Sequence, residues 1–257
     1  MNVINLQVAA VELVASGNGA SGNGRPSNRV GGSGVPVVRP RARSHSFAGV
    51  RALNAVIASA ALLAISPVVI LIVLGVKLTS RGPVIYTQDR IGLDRRNGYR
   101  RRPGEQRARD LGGRPFRIYK FRTMHVGAEG KTGPVWATPG DSRVTRLGRL
   151  LRRTRLDELP QLWNVIRGEM NIVGPRPERP TLVAYLSQEI DDYQLRHRVP
   201  PGITGWAQIN QSYDTTLESV RAKLLFDLDY IQRRSVLFDL RIMCSTIPAV
   251  LKKRGGW

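Results

Sequence analysis

The sequence predicts an α/β fold: a small mixed domain carried by a re-entrant membrane helix-hairpin and by interfacial amphipathic helices. Three observations predict it. An uncharged apolar run from Ala52 to Val76 is interrupted at Ser66-Pro67. Two short segments rich in β-branched and aromatic residues follow, Val84–Thr87 and Phe116–Phe121. Helical apolar spacing then recurs from Arg143 onward.

At 257 residues the chain has room for one sizeable domain with appendages. A formal charge of +21 argues for an anionic partner: nucleic acid, phospholipid headgroups or phosphorylated substrates. The single cysteine, Cys244, excludes an internal disulfide framework and fits a reducing compartment. His45, His125 and His197 are scattered without zinc-ligand spacing. Any metal should therefore be a hard, oxygen-ligated cation such as magnesium.

Residues 1–46 read as a disordered basic tail, because Ser16 to Ser46 is rich in Gly, Ser, Pro and Arg and lacks apolar periodicity. A formal G-x-G-x-x-G at Gly17, Gly19 and Gly22 precedes no helical pattern, so it is not read as a dinucleotide fingerprint. No basic segment leads into an apolar core at the start, and no signal peptide is expected.

Residues 47–80 form the membrane element. About 20 apolar residues suffice for one crossing helix, so a single span is the default. Pro67 removes one helical hydrogen bond and disfavours helix at Ser66, whose hydroxyl can satisfy a freed carbonyl in lipid. Basic residues stand on both flanks: Arg39, Arg41, Arg43 and Arg51 before, Lys77, Arg81, Arg90, Arg95 and Arg96 after. Positive charge favours the cytoplasmic side, so both flanks ask for the same side. A helix broken at Ser66-Pro67 that dips in and returns grants that.

Residues 81–257 form the body. A basic insertion at 94–113 interrupts the two β segments and reads as a loop, with a solvated charge run as the simplest account. Arg143–Arg153 places Val144, Leu147, Leu150 and Leu151 on one helical face, with Arg146, Arg149, Arg152 and Arg153 around it. That pattern suits either a helix lying on an anionic membrane or a stripe packed into the core. The segment from Ser235 to Trp257 has similar character, interrupted by Pro248 and closed by Lys252, Lys253 and Arg254.

Within this basic surface stand two adjacent acids, Asp157 and Glu158. Thr154 fits the cap of a helix starting near Arg155, with Asp157 in its first turn and Pro160 tolerated early. Leu159, Leu162, Trp163 and Ile166 would face the core. Acids there complement the helix dipole by roughly 0.3–1 kcal/mol, which accounts for one of them. The phosphate-binding groups nearby ask for more. Lys120 and Arg122, two apart, would share one strand face. Arg176, in the rigid "VGPRPERP" turn, offers a planar fork for phosphate oxygens. Together they suit a diphosphate pocket, with a carboxylate either holding magnesium or attacking phosphorus.

Six stretches in order, "RALNAVIASAALLAISPVVIL", "GPVIYTQDRIG", "FRIYKFRTM", "RVTRLGRLLRRTRLDELPQLWNVIRGEMNIVGPRPERP", "LRHRVPPGITGWAQIN" and "FDLDYI", resemble the bacterial monotopic phosphoglycosyl transferases. The resemblance runs from about Phe47 to Lys253. It implies transfer of a sugar-1-phosphate from a UDP-sugar to undecaprenyl phosphate with release of UMP, as the first membrane step of exopolysaccharide or glycoconjugate assembly. It implies Asp157 as nucleophile, through an aspartyl-phosphosugar intermediate, with Glu158 completing a catalytic dyad. Magnesium, met by Asp157, would neutralise the diphosphate. Lys120, Arg122 and Arg176 would bind substrate phosphates, and Asp227 would support substrate or metal unless it is simply an exposed helical acid. The break at Ser66-Pro67 matches the family's re-entrant helix. Expected partners are the UDP-sugar, undecaprenyl phosphate and anionic lipids, with a homodimer left open and no nucleic acid. The expected location is the cytoplasmic face of the bacterial inner membrane.

The chain departs from relatives at Pro200, where many carry a basic residue, and in the 94–113 insertion. Trp206, among Pro201, Gly202 and Gly205, is read first as a core residue. Without a large multi-span region ahead of it, the sequence reads as a minimal catalytic form with a tail. Two other classes compete: a membrane-tethered basic adaptor and a nucleic-acid binder. The second would want an aromatic-studded sheet or a recognition helix with basic residues grouped towards one groove; here the aromatics are few, and the basic residues surround an acidic pair that would repel a phosphate backbone unless a cation intervened. The adaptor leaves the phosphate-binding motifs without a purpose.

Overall fold

A computed structural model describes residues 47–94, 111–128, 141–211 and 216–252. The tail at 1–46, nearly all of the 94–113 insertion, and Lys253 and Arg254 lie outside the described residues.

Two helices open the fold, α1 (Phe47–Ala64) and α2 (Ser66–Thr79). They meet at Ile65 with a bend of 64°. Pro67 cannot donate to the Leu63 carbonyl, and the Ser66 hydroxyl donates to that carbonyl instead, at 2.8 Å. The bend is thus stabilised by the pair that causes it. Among the described residues no single helix is long and apolar enough to cross a membrane, whereas this bent pair passes that test together.

Both arms lie against the body. Ala58 of α1 packs with Leu162, Val165 and Met170, while Ile72 and Val76 of α2 pack with Phe121 and Leu151. Asn54 accepts from the Ile172 amide at 2.9 Å, and Arg51 donates to the Arg167 carbonyl at 3.4 Å. The outward face keeps Val56, Leu63, Ile70, Leu71, Leu74 and Leu78 exposed.

Strands β1 (Ile85–Ile91) and β2 (Pro115–Phe121) form an antiparallel pair, registered from Ile85 opposite Phe121 to Ile91 opposite Pro115. A second, parallel pair joins β3 (Asn171–Val173) to β4 (Gly202–Thr204). The backbones approach so closely there that a Cβ on Gly202 would lie 2.1 Å from the Gly174 nitrogen. Only glycine fits.

The remaining helices among the described residues are α3 (Arg146–Thr154), α4 (Gln161–Ile166), α5 (Pro180–Glu189), α6 (Trp206–Asn210), α7 (Leu217–Arg233) and α8 (Val236–Lys252). Short 3-10 segments occupy Leu156–Glu158 and Tyr193–Arg198. One core joins Ile91 with Val183, Leu186, Val220 and Leu224; another joins Val173, Tyr230, Phe238 and Ile242. Trp206 packs on Phe238, their ring centroids 5.2 Å apart, as a core aromatic.

Two local expectations are corrected, and one open alternative is decided. Thr154 does not begin a helix. It ends α3, its hydroxyl turned back to the Leu150 carbonyl at 2.8 Å. Thr145 is the cap instead, accepting from the Gly148 amide at 2.9 Å. The α3 stripe faces the protein rather than a membrane, because Leu151 and Val144 are buried and only Leu150 of the predicted set is exposed. Trp163, expected in the core, stays exposed on α4.

Candidate active site

The acidic pair sits where α3 is forced to stop. Arg155 adopts a left-handed conformation, φ 59°, and the chain tightens into the Leu156–Glu158 turn. This conformation is uncommon outside glycine and costs about 1–2 kcal/mol, so the surroundings must hold it. The turn carries both acids inward beside β2, and both are buried.

Their environments then diverge. Glu158 Oε1 lies 2.8 Å from Lys120 Nζ and 2.8 Å from an Arg176 guanidinium nitrogen, with Arg155 at 3.8 Å. Burial alone would raise its pKa, but Arg176 and Lys120 outweigh that and hold Glu158 well below the usual carboxylate range. Burial pulls Lys120 below its ordinary value despite the attraction of Glu158. The pair therefore favours the acid more than the base. We take Glu158 as ionised, because two cations donate hydrogen bonds to the same oxygen.

Asp157 has the opposite balance. Its Oδ1 is buried and has no hydrogen-bond partner. Burial first, then the neighbouring Glu158 charge, pushes its pKa up, partly countered by Lys120, Arg155 and Arg152. One carboxylate is locked by cations; the other is left uncommitted beside it.

Arg152 is the cation that sequence reasoning placed on the outer surface of α3. Its Nε donates to the Thr123 hydroxyl at 2.8 Å, and its charge acts on Asp157. A signal existed. Gly148, one turn earlier on the same face, is so close to the backbone that a Cβ there would meet the Thr123 carbonyl at 2.1 Å. A glycine one turn away marks the inward face of this helix.

Arg122 does not join Lys120 at the dyad. Strand β2 ends at Phe121, and Arg122 turns to Ser80 at the foot of α2, donating to its carbonyl at 2.8 Å and its hydroxyl at 2.7 Å. Its Nε and one terminal nitrogen are buried without a partner. Asp227 is also apart from the dyad, and it is not an exposed helical acid. It is 2% exposed on α7 and lies 2.7 Å from Arg196. The Arg196 N–H does not point along that contact, which makes it a charge pair more than a hydrogen bond. Burial pushes the Asp227 carboxyl up, with Arg196 pulling the other way.

Magnesium can be tested against these groups. Among the described residues no cluster of three or more His, Cys, Asp or Glu could hold an ion. Glu158 is already engaged, so the protein offers the free Asp157 oxygen alone. That fits magnesium only where substrate phosphates and water supply the other ligands, which is a usual arrangement for this ion.

The sequence profile of the bacterial sugar transferases matches residues 45–253. The chain belongs to that family. A UDP-glucose:undecaprenyl-phosphate glucose-1-phosphate transferase of Escherichia coli K12 is 45% identical over 199 residues, 77% of this chain and 39% of that protein. A UDP-N-acetylgalactosamine-undecaprenyl-phosphate N-acetylgalactosaminephosphotransferase of Aeromonas hydrophila is 39% identical over 191 residues, 74% of this chain and 41% of that protein. A UDP-glucose:undecaprenyl-phosphate glucose-1-phosphate transferase of Caulobacter vibrioides is 41% identical over 76% of this chain and 67% of its own length. The chain thus spans about two fifths of the first two relatives. In this member of the family, the uncommitted acid and its locked neighbour stand side by side in the Leu156–Glu158 turn.

Proposed function

We propose that the protein transfers a sugar-1-phosphate from a UDP-sugar to undecaprenyl phosphate, with Asp157 as nucleophile. The observation that carries this reading is the buried Asp157 oxygen without a hydrogen-bond partner, set beside a Glu158 whose charge two cations hold. An ordinary structural carboxylate at such burial would be paired. An attacking one must keep a lone pair free.

In the first step the Asp157 carboxylate oxygen attacks the sugar-bearing phosphorus. The new P–O bond forms as the bond to the bridging oxygen breaks, and that electron pair leaves on UMP. In the second step an oxygen of undecaprenyl phosphate attacks the same phosphorus. The acyl-phosphate bond breaks and its electron pair returns to Asp157. Splitting the transfer this way spares the site from binding two bulky anions together. Positioning and charge neutralisation do the rest, as is general for phosphoryl transfer. Arg152 and Arg176 are placed to meet phosphate oxygens, and Lys120 keeps Glu158 ionised and turned aside. A bound magnesium ion, met by Asp157 and the diphosphate, would supply further neutralising charge.

The same reading places the α1–α2 pair in the cytoplasmic leaflet as a re-entrant hairpin. Both arms pack on one body that carries buried ion pairs, while the outward faces are apolar. A crossing would ask the two arms to end on opposite sides of the bilayer; a shared body asks for one side. Exposed Arg146, Arg149 and Arg153, on the same helix as exposed Leu150, would meet anionic headgroups.

The test is UMP release by nanodisc-held protein with magnesium, undecaprenyl phosphate and a panel of UDP-sugars. Wild type should release UMP with one sugar and carry a phosphosugar mass adduct when the lipid is withheld. Asp157→Asn should do neither, while melting no lower than wild type, since it removes a buried and unpaired charge. Turnover by Asp157→Asn would remove the nucleophile assignment. Silence of folded wild type across every nucleotide sugar would favour a membrane adaptor.

A further inference from the structure

A second set of buried charges lies outside the transfer chemistry. Arg196 and Asp227 pair at 2.7 Å, Glu178 meets Lys223 at 2.9 Å and Arg90 at 3.6 Å, and Arg196 also donates to the Tyr193 hydroxyl at 2.7 Å. Burying such ions costs several kcal/mol each before compensation, and apolar residues would fill the same space more cheaply. The partners explain how the charge is tolerated. They do not explain why it is there.

What the cations touch supplies the reason. Arg196 donates to the carbonyl of Arg176 at 3.0 Å, and Arg90 to the carbonyl of Pro177 at 3.1 Å. The Gly202 amide donates to Pro175 at 2.9 Å, the Ile91 amide to Glu178 at 3.0 Å, and the Val183 amide to Arg179 at 2.9 Å. Every carbonyl from Pro175 to Arg179 therefore accepts a hydrogen bond. Pro175 and Pro177 also fix their own φ. This segment carries the guanidinium that grips Glu158.

We propose that Arg196 and Asp227 are positioning residues: their ion pair pins the Arg176 carbonyl and so aims the Arg176 guanidinium at Glu158, with Asp227 touching neither substrate nor metal. Backbone amides bind the Pro175, Glu178 and Arg179 carbonyls, and could have bound those of Arg176 and Pro177 as well. Arginine reaches them from elements remote in sequence, and Asp227 on α7 neutralises the cation that does so. A side chain held this way is set before substrate arrives, and a displacement of about 1 Å at such a group can cost 10²-fold in rate. The kinetic consequences rest on the transfer reading above; the structural consequence does not.

Hydrogen exchange on the full chain in nanodiscs tests the structural part. Asp227→Asn removes the counter-charge. Arg196→Lys keeps a charge opposite Asp227 but shortens the reach to Arg176, and serves where the first variant folds poorly. Exchange at the amides that tie this segment down, Gly174, Gly202, Ile91 and Val183, should rise at least tenfold in both, with α1, α2 and the rest of the β1–β2 pair unchanged. Unaltered exchange at those four amides overturns the proposal. So does acceleration throughout the chain, which would make the pair a prop of the whole fold.

The kinetic part asks whether Asp227 acts through Arg176. Asp227→Asn should lower kcat for UMP release by roughly 10–100-fold without changing the magnesium concentration for half-maximal rate. It should add nothing further in an Arg176→Ala background. A raised magnesium requirement, or additive losses, would make Asp227 a direct ligand and overturn the assignment. If wild type released no UMP, the transfer reading alone would fall, and hydrogen exchange would still decide this one.

Discussion

Glu158→Gln is the substitution whose consequence follows most directly from the geometry. In the native protein one carboxylate oxygen compensates Lys120 and Arg176, each at 2.8 Å and each mostly shielded from water. The amide keeps the shape and can still accept one hydrogen bond, but both cations lose their counter-charge. Breaking a buried pair costs about 3–5 kcal/mol, and the retained hydrogen bond argues for roughly 3. Arg155, at 3.8 Å and more exposed, is left out because solvent screens it. For a body of this size the loss corresponds to a melting temperature lower by about 6–12 °C. Thermal unfolding in detergent, followed by circular dichroism, reads it. The sign with pH is fixed: the folded pKa of Glu158 lies below its unfolded value, so its stabilisation is complete above the ordinary glutamate range. It is lost as pH falls through the folded value. The gap between wild type and variant should therefore stay constant at neutral pH and close only in acid. A double variant, Lys120→Met with Glu158→Gln, should recover part of the loss by removing one orphaned cation. A Glu158→Gln protein that melts with wild type at pH 7.5 would refute the reasoning, since Lys120 and Arg176 would then not depend on that charge.

Three further outcomes are expected. The acid limb of kcat/KM against pH should lie above the ordinary aspartate range, because burial and Glu158 raise the Asp157 pKa; Glu158→Gln should move that limb to lower pH. Gly148→Ala should lower the melting temperature by several degrees, since its Cβ would lie 2.1 Å from the Thr123 carbonyl and the overpacking costs roughly 1–3 kcal/mol. Leu71→Glu, on the exposed face of α2, should abolish co-flotation with anionic vesicles while leaving the fold intact by circular dichroism; undiminished flotation would take that face out of the membrane.

The helix break at Ser66-Pro67 was legible because its cause is local. Proline lacks the N–H, and the preceding serine supplies a donor for the stranded carbonyl, so two adjacent residues state the outcome. The acidic pair was legible for the same reason, as an anomaly of charge within a few positions. The role of Thr154 was misread although its T-x-x-D pattern is real. Arg155 turns left-handed, α3 stops, and Pro160 begins a new helix three residues beyond Asp157. A cap pattern specifies which hydrogen bonds are available, and tertiary packing decides which are made. The α3 stripe was ambiguous in principle, since the same apolar spacing serves a membrane surface or a protein core.

The sequence by itself determined the family and its unusual features: an excess of cations around two acids, an apolar segment broken at Ser66-Pro67, and an ordered set of motifs that place it among the bacterial sugar transferases. Only the tertiary structure decided how those charges are shared. Glu158 takes Lys120 and Arg176, Asp157 is left free, Arg152 turns inward, Arg122 closes on Ser80, and Asp227 is spent on Arg196. The physical reason is reach. A pairing between neighbours is written in spacing, whereas a pairing across 38 residues, as between Lys120 and Glu158, exists only once packing has brought the two side chains within a few ångströms.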